Sequence, residues 1–137
     1  MLDLRLASFG LAIAVLGFLA LVRPRWGDPP REALDVAIPT GIELTVDDGR
    51  TIKTYRYGRR ILVGRAAGAD LRVEDDRVSR LHARVEMRDD GVYVEDLGSR
   101  NGTELNGERV ESHKLRVDDE VTVGPATLIF RGVGAWT

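Results

Sequence analysis

The sequence predicts an all-β sandwich preceded by one membrane-spanning helix. Three observations lead there. After Gly41 the chain breaks into short runs of β-branched and aliphatic residues separated by turn signals. Several of those runs alternate apolar with polar residues at period two. Ahead of them, Leu6–Val22 is one uninterrupted apolar stretch.

The apolar stretch comes first in the chain. As a helix it spans roughly 26 Å, which Leu4 and a snorkelling Arg5 extend toward the hydrocarbon thickness. Residues 1–25 are therefore expected to be an uncleaved anchor, with Trp26 at the interfacial belt. A cleaved signal peptide is the rival reading. It fits less well, because the run is long for such a segment and Arg23-Pro24-Arg25 follows it instead of a small-residue cleavage site. Arg23, Arg25 and Arg31 outweigh Asp3 and Arg5, so the positive-inside rule puts the remainder of a single-pass protein in the cytoplasm. Ala7, Gly10, Ala14 and Gly17 form a stripe of small residues, which offers a face for helix–helix association. Residues 26–40, rich in Pro and Gly, read as a linker.

The strands follow. Ile42–Val46 and Thr51–Tyr57 flank the turn signal Asp47-Asp48-Gly49-Arg50. Ile61–Val63 ends at Gly64. Leu81, Ala83, Val85 and Met87 alternate with His82, Arg84 and Glu86, which predicts a strand with the first set buried. Asp89-Asp90-Gly91 turns it into Val92–Glu95. Asn106-Gly107 marks a type I′ hairpin between Thr103–Leu105 and Glu108–Val110. Val121–Val123 and Ala126–Arg131 are joined by Gly124-Pro125. At this spacing about eleven short strands are expected over residues 41–132, with Greek-key connections, an aliphatic core and a tail at 133–137.

Composition removes several functions. A net charge of −2 gives no basic face for nucleic acid. There are no cysteines and only two histidines, so neither a metal site nor a cofactor is expected. The acidic run Glu74-Asp75-Asp76 lacks the ligand spacing of a calcium loop. Ser79, His82 and Asp96 have the residue types of a hydrolase triad, but no nucleophile elbow surrounds them.

Three loop signatures carry the chemistry: Gly64-Arg65, Ser79-Arg80-Leu81-His82, and Leu97-Gly98-Ser99-Arg100-Asn101-Gly102-Thr103. Arg65 offers a permanent, planar fork of donors suited to phosphate oxygens. Ser79 adds a hydroxyl and Arg80 a second cation. The Asn101 amide, both donor and acceptor, is able to clamp a peptide backbone, and Gly64 and Gly102 give the loops conformational freedom. In this order and at these separations the signatures resemble the forkhead-associated (FHA) domain, a β-sandwich that reads phosphothreonine. The resemblance implies that Arg65 and Ser79 bind phosphate, that Arg80 and Arg100 stand at the pocket edge, and that Asn101 holds the peptide main chain. Gly64 and His82 would be architectural. Where relatives carry Ser or Thr, this chain has Arg100, which either pairs with phosphate or points to water.

The function implied is non-enzymatic: a membrane-tethered module that recruits a threonine-phosphorylated protein, either a Ser/Thr kinase or a kinase substrate. The layout resembles short anchored FHA proteins of bacteria that accompany receptor-like kinases and the cell-division or wall-synthesis machinery. The alternative is a phosphate-independent structural adaptor on the same fold.

Overall fold

The computed structural model describes residues 38–136. The expected anchor at 1–25, the small-residue stripe and all of the linker before Ile38 lie outside the described residues. Among those that are described, every regular element is a strand, and no helix is long and apolar enough to cross a membrane.

Eleven strands form two sheets: β1 Gly41–Asp47, β2 Ile52–Tyr57, β3 Arg60–Gly64, β4 Leu71–Arg72, β5 Ala83–Arg88, β6 Gly91–Asp96, β7 Thr103–Leu105, β8 Glu108–Val110, β9 Ser112–Lys114, β10 Glu120–Val123 and β11 Ala126–Gly134. One sheet has the order β2-β1-β11-β10-β7-β8 and the other β4-β3-β5-β6-β9. All pairs are antiparallel except the short β3–β4 pair, which is parallel. Ile42, Leu44, Val121, Val123 and Leu128 from one sheet pack against Ile61, Val63, Val85 and Val94 from the other. Such period-two burial removes roughly 25 cal/mol per Å² of apolar surface from water. The core is aliphatic as expected, with Phe130 the only buried aromatic side chain among the described residues.

The turns follow the sequence signals. Asn106 and Gly107 adopt φ of 51° and 85°, the two positive values that a type I′ hairpin requires. Gly124 has φ 56° ahead of Pro125, which closes the two-residue turn between Val123 and Ala126. Other expectations need correction. The strand expected from Leu81 begins at Ala83; Leu81 is 52% exposed, whereas His82 is wholly buried. The alternation is therefore reversed at these two positions, because the buried imidazole serves loop hydrogen bonds that outweigh its polarity. β4 and β9 were not among the expected runs. β11 continues to Gly134, two residues into the expected tail, and the Trp136 ring then packs over Gly134. The Arg56 guanidinium stacks on that ring, 5.1 Å from its centroid.

The loops carrying the three signatures gather at one end. Gly124 joins them there, lying against the Val78 side chain. Thr40, where the described chain begins to pair, bonds to Gly134 at the opposite end.

Candidate functional site

Backbone hydrogen bonds zip the first two signatures together. His82 N–H donates to Val63 O at 2.9 Å, Arg65 N–H to Ser79 O at 3.0 Å and Ala66 N–H to Arg80 O at 3.1 Å. This zipper sets Arg65 beside Ser79 and requires the backbones to approach closely at Gly64. A Cβ there would lie 2.1 Å from Arg80 O and 3.1 Å from Ser79 O. Both are main-chain atoms that cannot rotate away. Gly64 does not have positive φ, so the expected reason for glycine was the wrong one: contact distance, not backbone freedom, excludes a side chain. Gly64→Ala should destabilise the fold by about 2 kcal/mol or more, read as a lower denaturation midpoint, through forced separation of the two loops. Gly102, at φ 84°, does need its positive φ.

His82 joins the second signature to the third. Its Nδ1 accepts from Ser79 N–H at 3.1 Å, which leaves Nε2 to carry the proton and donate to Gly102 O at 2.8 Å. The His82 carbonyl in turn accepts from Leu97 N–H at 2.9 Å. No triad relay exists here. Ser79 meets His82 through its backbone N–H, and Asp96 takes its hydrogen bonds from Ser99 and Thr103.

The third loop has its own internal frame. Asp96 accepts from Ser99 N–H, Ser99 Oγ and, at 2.8 Å, Thr103 Oγ1; Ser99 Oγ accepts from Gly102 N–H at 2.9 Å. Burial pushes the Asp96 carboxyl up, but these hydrogen bonds and the nearby His82 outweigh it, so the net shift is below the ordinary value of 3.8. A carboxylate held down in the folded state contributes stability that is fully present above its unfolded pKa, and lost as pH falls through the lower folded value. Asp96→Asn should therefore weaken the dependence of stability on pH below about 4, measured by urea titration across that range, and cost roughly 1–2 kcal/mol at pH 7.

The remaining expected site residues are all brought to this end. Arg65 is exposed; its Nε donates to Val78 O at 3.2 Å, and its two terminal nitrogens have no partner among the described residues. Ser79 Oγ accepts from Arg100 N–H at 3.0 Å, so its own proton is free to donate outward. Arg80 and Arg100 are exposed, with no side-chain partner among the described residues. Asn101 is exposed too, but its Nδ2 donates to Arg77 O at 2.8 Å. One amide hydrogen is thus spent on binding the third loop to the second. The amide oxygen and the other hydrogen remain for a ligand.

Sequence reasoning missed three contributors. Ser99 and Asp96 stiffen the loop bearing Arg100 and Asn101, and the Ser-x-x-Gly spacing is visible only once the turn is known. Arg109 on β8 lays its guanidinium over Gly102, in the space where a Cβ would be 2.5 Å from Nε. The acidic run is partly neutralised by its neighbours: Arg72 pairs with Glu74 at 2.7 Å, and Arg77 grips Asp75 through two nitrogens at 2.9 and 3.1 Å. The side-chain bond to Arg77, followed by the Arg77 N–H, holds the Asp75 carboxyl down to about 2.

A β-sandwich that gathers two arginines, a directed hydroxyl and a half-free amide at one solvent-facing end is a recognition module for an anionic segment. The comparisons give its family. The FHA domain profile matches residues 61–124. The chain is 39% identical over 72 residues to FHA domain-containing protein FhaB of Mycobacterium tuberculosis, covering 52% of this chain and 46% of that protein. It thus spans about half the length of that curated relative. The FhaA FHA domain, solved in complex with the intracellular domain of Rv3910, is 31% identical with a TM-score of 0.59, over 66% of this chain and 99% of that one. An FHA domain solved for its phosphothreonine-dependent interactions is also 31% identical, with a TM-score of 0.60, over 67% of this chain and 96% of its own. This chain belongs to the FHA-domain family.

Proposed function

We propose that this chain binds threonine-phosphorylated proteins through Arg65, Ser79 and Asn101, with Arg80 and Arg100 at the rim, and that residues 6–22 tether it to the cytoplasmic face of a membrane. One observation carries the binding reading: the terminal nitrogens of Arg65 and the proton of Ser79 are unspent and solvent-facing, while every atom behind them is tied into the fold. A phosphate dianion supplies the acceptors such donors require. The tether draws support from the apolar run and from the placement of Thr40 at the end away from the loops, which leaves those loops clear. A shared membrane raises effective concentration, so a modest affinity suffices. The partner is a Ser/Thr kinase or its substrate, in signalling linked to division or wall synthesis.

Titration of the full chain with matched phosphothreonine, phosphoserine and unmodified peptides tests the binding. Only the phosphorylated forms should bind, with threonine favoured about fourfold by burial of its methyl group. Equal binding of the unmodified peptide would leave the phosphate-independent adaptor as the better reading. Recovery of the chain in the soluble fraction with its N-terminus intact would remove the tether.

A further inference from the structure

The two sheets do not match in width along one side of the sandwich. β2, at the edge of one sheet, has six residues; β4, at the edge of the other, has two. The inward face of β2 is therefore left partly unroofed. Tyr55, opposite the core residue Leu44 in the β1–β2 pair, is 41% exposed. Between the two edges lies a cleft of about 600 Å³, floored by Val46, Tyr55, Leu71, Val73, Pro125 and Ala126. Its rim holds charges of both signs, Arg50 and Arg72 beside Asp48 and Glu74, and so selects for neither.

This cleft is continuous with the candidate site. Arg72, Glu74 and Asp75 line it and also line a second cleft of about 430 Å³ that has Arg65 in its wall. Leu71 pairs with Val63, two strand residues before Arg65, which places the apolar floor roughly 8 Å from Arg65. An extended peptide covers that distance in about three residues.

We propose that the cleft between β2 and β4 receives a large apolar side chain of the same segment whose phosphothreonine is held by Arg65 and Ser79. The proposal rests on the phosphothreonine reading and names the partner more narrowly: a phosphothreonine with a leucine, methionine or aromatic residue a few positions away. The occupant follows from the continuity. A separate ligand would have to enter beside the phosphate already bound, whereas a flanking side chain arrives with it. Filling the cleft takes water off Tyr55 and the aliphatic floor, which gives the affinity gain.

The test scans phosphothreonine peptides that are alanine-flanked except for one position, set in turn to Leu, Phe, Asp or Lys on either side of the phosphate. Binding to the full chain is measured by anisotropy. Leu or Phe at one position should tighten binding about tenfold over Ala, and Asp and Lys should not. Tyr55→Ser should abolish the gain while leaving the affinity for the all-alanine phosphopeptide unchanged, which shows that the variant is folded and its phosphate site intact. A flat scan with phosphate-dependent binding preserved, or a gain that survives Tyr55→Ser, overturns the cleft assignment alone. Loss of phosphate dependence in the all-alanine peptide overturns the reading beneath it as well. Self-association of the chain that Tyr55→Ser removes would assign the cleft to a second copy and likewise overturn the proposal.

Discussion

Arg65→Ala is expected to weaken binding of a phosphothreonine peptide about 100-fold while moving the melting midpoint by only about 2 °C. The side chain makes one structural bond, Nε to Val78 O, and that bond points the rest of the guanidinium outward. Removing it leaves no buried group unpaired except the Val78 carbonyl, which a water molecule is able to reach beside an exposed side chain. What is lost is a bidentate, permanently charged contact to phosphate, the strongest type of hydrogen bond open to a side chain. Arg65→Lys should recover only part of the affinity, because an ammonium cannot present two parallel donors. Isothermal titration of the three proteins with one phosphopeptide reads this directly. An alanine variant within threefold of the parent would mean that the phosphate does not sit at Arg65.

His82→Ala is expected to act the other way, first on stability and then on binding. The ring is fully buried and bridges two of the three signature loops, with Ser79 N–H on one nitrogen and Gly102 O on the other. Alanine would leave both groups without a partner and a cavity between the loops, at a combined cost of about 3–4 kcal/mol. Chemical denaturation should show that loss. Peptide affinity should fall too, because Ser79 and Asn101 then lose their common brace, although neither has been altered. A change in stability under about 1 kcal/mol would show that the ring is not the link between the loops.

These two residues also mark how far the sequence could be read. Arg65, Ser79 and Asn101 were legible because glycine-flanked loops between alternating strands advertise themselves, and because their donors have a use only at a surface. His82 was read as architectural, yet period-two alternation put it on the outer face and Leu81 on the inner. The error has a physical source: alternation holds only inside a ladder, and the ladder starts at Ala83. β4 and β9 escaped for related reasons. Leu71-Arg72 is too short to show a period, and Ser112-His113-Lys114 is an edge strand with every side chain in water, so no apolar pattern exists to find. Gly64 was identified as special for the wrong cause, since contact with the Arg80 carbonyl is a long-range fact that local sequence does not contain. The same holds for Asn101, whose bond to Arg77 O spans two loops.

The most direct measurement follows backbone amide resonances of the full chain as a phosphothreonine peptide is added, with the unphosphorylated peptide as control. Amides of Arg65, Ser79, Arg80, Arg100 and Asn101 should move on addition of the phosphopeptide alone, while Asn106, Gly107 and Asp118 at the far end stay still. Shifts of equal size with the control peptide, or shifts concentrated around Asn106 and Asp118, would contradict a phosphate site built on the three loops.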